Sequence, residues 1–245
     1  MNDIIKPILA HRSIRAYTEQ PGADDVLDQI NSAAQAAPTW VNLQHVSVIA
    51  VKDPVRRKEF AQLCGKQPHI AQTPVFLAFC ADYYRAHLAG LLHHQPLELA
   101  MDDIDHTIVG AHEAGIAVGT AVVAAESLGL GTVVSGDVRL IAALDLPKYV
   151  MPVLGLCIGF AAADPGIVPR LPKEAMYFEE TYNRDLNKLL CQYDEVYSSY
   201  LEKRLWNNRV GNWTQLCADF YRHPYEHDPE VPEMLHGQGF TGDKQ

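Results

Sequence analysis

Apolar and polar positions along this 245-residue chain follow two different periods in turn. Short, nearly continuous apolar runs rich in Val, Ile and Phe occur at His45–Val51, Pro74–Ala81, Thr132–Ser135 and Met151–Phe160. Bounded by Gly, Pro or polar clusters, such runs read as strands. Segments with helical spacing separate them, at Asp3–Ala10, Asp24–Ala36, Pro54–Leu63, Asp105–Leu128 and Val138–Ala143. The alternation predicts a central sheet covered by helices. Asp105–Leu128 is the longest of these helices and is dense in small residues, among them Gly110, Ala111, Ala114, Gly115, Gly119, Ala121, Ala124 and Ala125. Those residues lower helix propensity but let a neighbouring backbone come close. A helix that is apolar nearly all round is expected to be buried on every side, against a subunit interface as much as a monomer core. Gly129 then stands where a glycine commonly ends a helix.

After Phe160 the pattern changes. Asp164-Pro165-Gly166 and Val168-Pro169-Arg170-Leu171-Pro172 form a proline-stiffened extended loop. Tyrosine-rich helical patterns follow at about Leu186–Lys203 and Trp213–Tyr221, with no further strand-like run. The organisation expected is therefore a core over 1–172 and a C-terminal extension over 173–245, an arm or excursion rather than an independent domain. With 48% hydrophobic and 20% charged residues, the chain is large enough for one sizeable core. Its formal net charge of −10 argues against nucleic acid or an anionic membrane as partner. The longest uncharged apolar run, Ala114–Ala125, is too short to span a bilayer, and Met1–Leu9 does not read as a secretory leader. Five cysteines form no CxxC pair, and Cys80 and Cys157 lie within apolar runs, so a reducing cytoplasm is the simplest compartment.

Against that acidic background, His11-Arg12-Ser13-Ile14-Arg15 concentrates cations. Arg12 and Arg15 are three apart, so a final helical turn would present both to one side. Guanidinium forks and a hydroxyl suit a phosphate; a solvated helix end, where the dipole favours cations, has the same composition. Thr39, Asn42 and Gln44, in the loop after the second helix, offer the donors and acceptors that the edge of a heterocycle requires, as a plain connecting loop also would. The glycines of Gly129-Leu130-Gly131-Thr132-Val133-Val134-Ser135-Gly136 follow a helix and enter a strand, the reverse of a dinucleotide-binding fingerprint, although they would let backbone amides approach a flat ligand. His106 and His112 are six apart and face different sides of a helix, so no metal site is expected. Nucleophile-elbow and P-loop motifs are absent. Lys203, Arg204 and Arg209 make a second basic cluster, again either a site or a solvated helix end.

Six segments, in order along the chain, resemble the FMN-dependent nitroreductase family. They are His11-Arg12-Ser13-Ile14-Arg15-Ala16-Tyr17-Thr18, Gly65-Lys66-Gln67, Phe79-Cys80-Ala81-Asp82, Ala124-Ala125-Glu126-Ser127-Leu128-Gly129-Leu130-Gly131, Leu154-Gly155-Leu156-Cys157-Ile158-Gly159 and Pro169-Arg170-Leu171-Pro172. The resemblance is greatest to its oxygen-insensitive NADPH nitroreductases and NADPH-dependent flavin reductases. It implies an α+β fold, a three-layer sandwich with a central mixed, mostly antiparallel sheet covered by helices, plus a C-terminal excursion. It also implies an intertwined homodimer with FMN at the interface. By the same resemblance, Arg12, Ser13 and Arg15, with His11 alongside and Arg170 closing, would hold the FMN phosphate. Thr39, Asn42 and Gln67 would contact the ribityl chain and ring edge, and Val134, Ser135 and Gly136 would lie beside the isoalloxazine. Arg204 and Arg209 would greet the 2′-phosphate of NADPH.

The resemblance further implies hydride transfer from NADPH to FMN, then electron transfer to a nitroaromatic, quinone or free flavin in a ping-pong sequence, with no side-chain nucleophile or base. This chain departs from the subgroup's usual pattern at Pro38-Thr39-Trp40-Val41-Asn42, at Asp137, which puts a carboxylate near the flavin edge, and at Val168, where a lysine is common. The alternatives are a flavin carrier or redox sensor without turnover, and an unrelated acidic α/β protein that ignores flavin.

Overall fold

A computed structural model describes residues 2–20, 24–95, 97, 101, 103–137, 139–204, 208–222 and 231–240. The four apolar runs are strands β1 (Val46–Val51), β2 (Val75–Asp82), β3 (Gly131–Ser135) and β4 (Val150–Gly159) of one sheet ordered β1-β2-β4-β3. All three strand pairs are antiparallel. Every residue of the central strand β2 is buried, which is why it reads as a continuous apolar run rather than an alternation. Pro152, which has no N–H to donate, sits in β4 where the register shifts between Phe79 and Cys80, the usual refuge for proline in a sheet.

The described helices are α1 (Ile5–Leu9), α2 (Asp24–Gln35), α3 (Pro54–Leu63), α4 (Pro68–Gln72), α5 (Tyr84–Leu92), α6 (Ile104–Ser127), α7 (Leu140–Ala143), α8 (Asn187–Lys203), α9 (Trp213–Arg222) and α10 (Val231–Gly237). Five of them, α2, α3, α4, α6 and α7, cover the two faces of the sheet. Leu77, Phe79, Leu156 and Ile158 pack against Ile30 and Ala34 of α2 and Ala117, Val118, Ala121 and Ala125 of α6. The intervening Phe76, Ala78 and Cys157 point the other way, toward Phe60 and Ala61 of α3, Ile70 of α4 and Leu140 of α7.

Helix α6 buries one face only. Its buried positions are Gly110, Glu113, Ala114, Ala117, Val118, Ala121 and Ala125. Close approach explains Gly110, where an added Cβ would stand 2.8 Å from the Ala81 Cβ. Gly115 and Gly119 have nothing within 4 Å, and Ile108 and Ile116 are 44% and 43% exposed. The expectation of burial on every side therefore fails within one protomer: the sheet covers one face, and an apolar stripe stays open on the other. By length and composition α6 is the one described helix that could cross a membrane. Here it is the helix beneath the sheet, with a glutamate in its buried face.

Helix α1 ends at Leu9, and residues 11–18 are extended. Ser13 bridges Thr132 in parallel, Ile14 N donates to Thr132 O at 2.8 Å, and Thr18 N donates to Phe160 O at 2.9 Å. This bridge is a parallel contact beside an otherwise antiparallel sheet. Arg12 and Arg15 therefore do not share a helical turn. Three apart in extended chain, they face opposite sides. The cause is Ile14, which is buried against Gly131 and draws the segment along the edge of β3.

The chain divides into two compact units, Met1–Asp164 with Glu230–Gln245, and Pro165–Pro229. In the second unit α8 and α9 are joined by Asp194, which accepts from Thr214 N at 2.9 Å and Thr214 Oγ1 at 2.5 Å, and by an edge-on contact between Tyr193 and Trp213.

Candidate functional site

The end of β3 collects several of the residues singled out in the sequence. Ser135 Oγ donates to Gln67 Oε1 at 2.6 Å, joining the strand end to the turn before α4. Gly65 and Lys66, at φ +73° and +57°, make the turn that brings Gln67 there. Gly136 has φ +154°, and a Cβ on it would come within 2.7 Å of Gly155 N, so the backbone at this point tolerates no side chain. Val134 and Gly136 are exposed and Ser135 is half-buried, which leaves the strand end open to a ligand. Asp137 does not face that opening as a free carboxylate. It accepts from Arg139 Nε at 2.8 Å and from the Arg139 backbone N at 2.9 Å, and is ion-paired with Arg139 Nη2. The carboxylate expected to oppose negative charge at this edge is matched by a guanidinium.

Next to Gln67, His69 is 6% exposed, and its Nε2 is buried with no hydrogen-bond partner. Burial, and then the charge of Arg15, holds its pKa below the ordinary histidine value, so the ring favours its neutral form. Arg15 is exposed, and no carboxylate pairs with it among the described residues. Tyr17 donates to Ile14 O at 2.8 Å; burial raises its phenol pKa, and Arg15 partly offsets the rise.

The sequence neighbours His11 and Arg12 are tied to other partners. His11 Nδ1 lies 2.6 Å from Glu126 Oε1, which also accepts from Thr132 Oγ1 at 2.8 Å. Arg12 Nε is ion-paired with Asp164 Oδ1 at 2.9 Å, and Arg12 lines a cavity of about 510 Å³ with Ile14, Glu126 and Leu130. Arg12 is thus drawn to Asp164, while the charge of Arg15 acts on His69 and Tyr17.

Thr39 and Asn42 lie elsewhere. Val41, Asn42 and Gln44 have φ of +44°, +60° and +56°, three non-glycine residues in the left-handed region within one short loop. Buried Glu113 of α6 accepts from Trp40 N at 2.8 Å and from His45 N at 2.9 Å, bracketing the loop. The loop leads into β1, and Thr39 lines a cavity of about 460 Å³ with Gln44, Arg85 and Glu113. Glu126, which anchors His11 beside β3, is thirteen residues further along α6 than Glu113, about 20 Å at 1.5 Å per residue. In the sheet order, β1 and β3 are opposite edges, three spacings or about 14 Å apart. One protomer therefore holds Gln67, Ser135 and Arg15 at one edge and Thr39 and Asn42 at the other.

In the second unit, Arg170 is exposed beside Pro169, whose carbonyl accepts from Tyr193 OH at 2.7 Å. The charge of Arg170 partly offsets the burial that raises the Tyr193 pKa. Arg204 caps α8, and Arg209 is exposed five residues on; the intervening Asn207 lies outside the described residues. Among the described residues no three His, Cys, Asp or Glu side chains come together as metal ligands. Cys64, Cys80 and Cys157 are buried and free, and burial pushes the Cys64 and Cys80 thiols up to about 12.

Sequence reasoning did not single out His69, Arg85, Glu113 or Glu126 as functional. The legible signal was the two glutamates bounding the apolar run of α6, since a carboxylate on a buried helix needs donors brought to it.

Comparison with known proteins gives the family. The chain matches the model of the nitroreductase family over residues 8–160 and that family's C-terminal domain over residues 169–243. It is 48% identical to "FMN reductase [NAD(P)H]" of Bacillus subtilis (strain 168), covering 100% of both chains. It is 36% identical to the "Oxygen-insensitive NADPH nitroreductase" of Salmonella typhimurium, covering 98% of this chain and 99% of that one. Among solved structures, that of B. megaterium NfrA2 superposes with a TM-score of 0.94 at 42% identity, covering 100% of both chains. The NADPH:FMN oxidoreductase from Vibrio harveyi complexed with NAD+ superposes with a TM-score of 0.86 at 30% identity, over 98% and 99% of the two chains. With both family models spanning nearly the whole chain and the sheet order, small-residue helix and strand-end loop in place, this chain belongs to the nitroreductase family.

Proposed function

We propose that the chain is an FMN-dependent NAD(P)H oxidoreductase of the nitroreductase and flavin reductase type, passing hydride from NADPH to a nitroaromatic, quinone or free flavin acceptor. The observation that carries this reading is the 48% identity, over the full length of both chains, to a relative described as an FMN reductase using NAD(P)H. The residues present also fit the cofactor. Arg15 is a cation without a carboxylate partner among the described residues, in a chain of net charge −10, and its charge acts on a buried His69 whose Nε2 has no hydrogen-bond partner. FMN, when bound, supplies the two-electron chemistry.

The protein's part is binding and orientation. Ser13 and Arg15 hold the phosphate from the segment after α1. His11 and Arg12, tied to Glu126 and Asp164, brace that segment. Gln67 and the backbone of Val134, Ser135 and Gly136 lie along the ring. Thr39 and Asn42 complete the ring edge from a second copy of the chain, because the same copy keeps them at the far edge of the sheet. The open stripe of α6 is then the face on which two copies pack into a homodimer. Arg204 and Arg209 take the 2′-phosphate of NADPH. The compartment is the cytoplasm, and neither nucleic acid nor membrane is a partner.

An anaerobic spectrum of the purified protein, supplied with FMN and then with NADPH or NADH, tests the reading. A yellow protein bleached by NADPH is expected, with NADH less effective. A yellow protein that neither nucleotide bleaches is a flavin carrier or sensor, and a protein that leaves FMN in solution overturns the reading altogether.

A further inference from the structure

The loop Thr39–Gln44 is held in an unfavourable shape, and a buried carboxylate and an exposed guanidinium hold it. Val41, Asn42 and Gln44 are left-handed without being glycine, and Val41 is β-branched, the residue type least suited to that region. Left alone, such a loop relaxes. Inside the loop a 3-10 turn at Trp40–Asn42 is closed by Leu43 N donating to Trp40 O at 3.0 Å, but Trp40 N and His45 N find their acceptors on a side chain. Glu113 supplies acceptors: Oε1 takes Trp40 N at 2.8 Å and lies 3.1 Å from His45 Nδ1, and Oε2 takes His45 N at 2.9 Å. Arg85 supplies donors: Nη2 gives to Gln44 O at 2.6 Å and Val46 O at 2.9 Å, while Nη1 is fixed by Asp82 Oδ2 at 2.8 Å and Ser47 Oγ at 2.7 Å. Glu113 and His45 are each 3% exposed, and Tyr83 stacks on the His45 ring at 4.3 Å, so the carboxylate is shielded from water, which would compete for the same bonds.

We infer that Glu113 is a positioning residue for flavin. With Arg85 it clamps Thr39–Gln44 in the left-handed shape that presents Thr39 and Asn42 to the ring edge. This rests on the flavin reading of the preceding section. The role does not follow from packing alone. Glutamine at 113 would fill the same volume, yet its amide has one oxygen where two carboxylate oxygens now serve two backbone N–H groups, and its NH2 would face a donor.

The test compares the wild-type protein with Glu113→Gln and with Glu113→Gln/Val41→Gly. Glycine at 41 adopts the left-handed conformation without strain and so relieves what the clamp must hold. Three properties are measured: backbone amide exchange of Trp40 and His45 without flavin, affinity for FMN and for riboflavin, and the visible circular dichroism of bound FMN. In Glu113→Gln the two amides should exchange at least tenfold faster. FMN and riboflavin should both weaken by about tenfold, since the loss is at the ring and not the phosphate, and the dichroism of bound FMN should change. The double variant should recover most of the affinity and band shape.

Wild-type exchange rates, affinity and dichroism in Glu113→Gln would overturn the inference. Faster exchange without any change in flavin affinity or dichroism overturns it too, leaving Glu113 a purely structural residue. If the wild-type protein itself binds no flavin, the functional reading fails instead, and the exchange rates still decide whether the clamp exists. Should Glu113→Gln not fold, Arg85→Lys loosens the other end, because an ammonium cannot span both carbonyls, and the same three measurements apply.

Discussion

Arg15 is an exposed guanidinium with no carboxylate partner among the described residues, in a chain carrying thirty acidic side chains. Its neighbour in sequence, Arg12, is matched by Asp164, so the two arginines of one short motif have different work. A hydrogen bond to a charged group contributes about 1.5–3 kcal/mol, or about 10- to 100-fold in affinity. Arg15→Ala should therefore raise the FMN dissociation constant by that factor in a fluorescence titration, and unchanged affinity would remove Arg15 from the phosphate site. His69 makes a second prediction. Its folded pKa lies below the ordinary value of about 6.5, so below that pH the unfolded chain binds the proton more readily. The stability linked to the neutral ring is complete above about pH 6.5 and is lost as pH falls through the folded value. Urea midpoints measured at pH 7.5 and 5.5 should fall less for His69→Gln than for the wild-type protein. The sequence drew attention to Arg15 through its residue type. It gave no sign of His69, because a histidine after a proline in a polar loop has no pattern until Arg15 is folded against it.

At the scale of elements, the four strands were legible because each central strand is buried on both faces and so is apolar throughout. The extended course of residues 11–18 was not. Its two arginines at a spacing of three fit a helical turn equally well, and only the contact of Ile14 with Gly131 decides for extended chain. The one-turn helix α4 was hidden in what reads as a polar loop, since five residues are too few to show a period. A glycine on β4 shows how tightly the strand end is built. A Cβ on Gly155 would stand 2.2 Å from Phe76 Cζ and 2.7 Å from Ser135 O. Gly155→Ala should cost about 1–3 kcal/mol, as overpacking of a core does. The melting temperature should fall by several degrees, about 2–4 °C per kcal/mol at this chain length, and the Ser135–Gln67 contact should be disturbed. A melt unchanged within a degree would show that β4 yields more readily than its packing implies.

For the molecule as a whole, the open stripe of α6 is the feature that one protomer leaves unused. Ile108 and Ile116 are about half exposed, and Gly115 and Gly119 leave room for another backbone. Ile116→Glu, which puts a charge into that stripe without touching the buried face, should convert a dimer to a monomer in sedimentation or light scattering. FMN should be lost with it, since Thr39 and Asn42 would no longer reach the ring; a dimer retaining flavin would place the subunit contact elsewhere. By itself the sequence determined the layers of the fold and the family, because burial period, small-residue density and motif order are all written in residue type. Which residues stand together was decided only by tertiary structure. Pairings such as Ser135 with Gln67, His11 with Glu126 and Trp40 with Glu113 join positions 68, 115 and 73 residues apart. The division of the candidate site between the two edges of the sheet follows from the strand order β1-β2-β4-β3. No local period encodes that order, because it is set by how whole strands pair and which faces the helices cover.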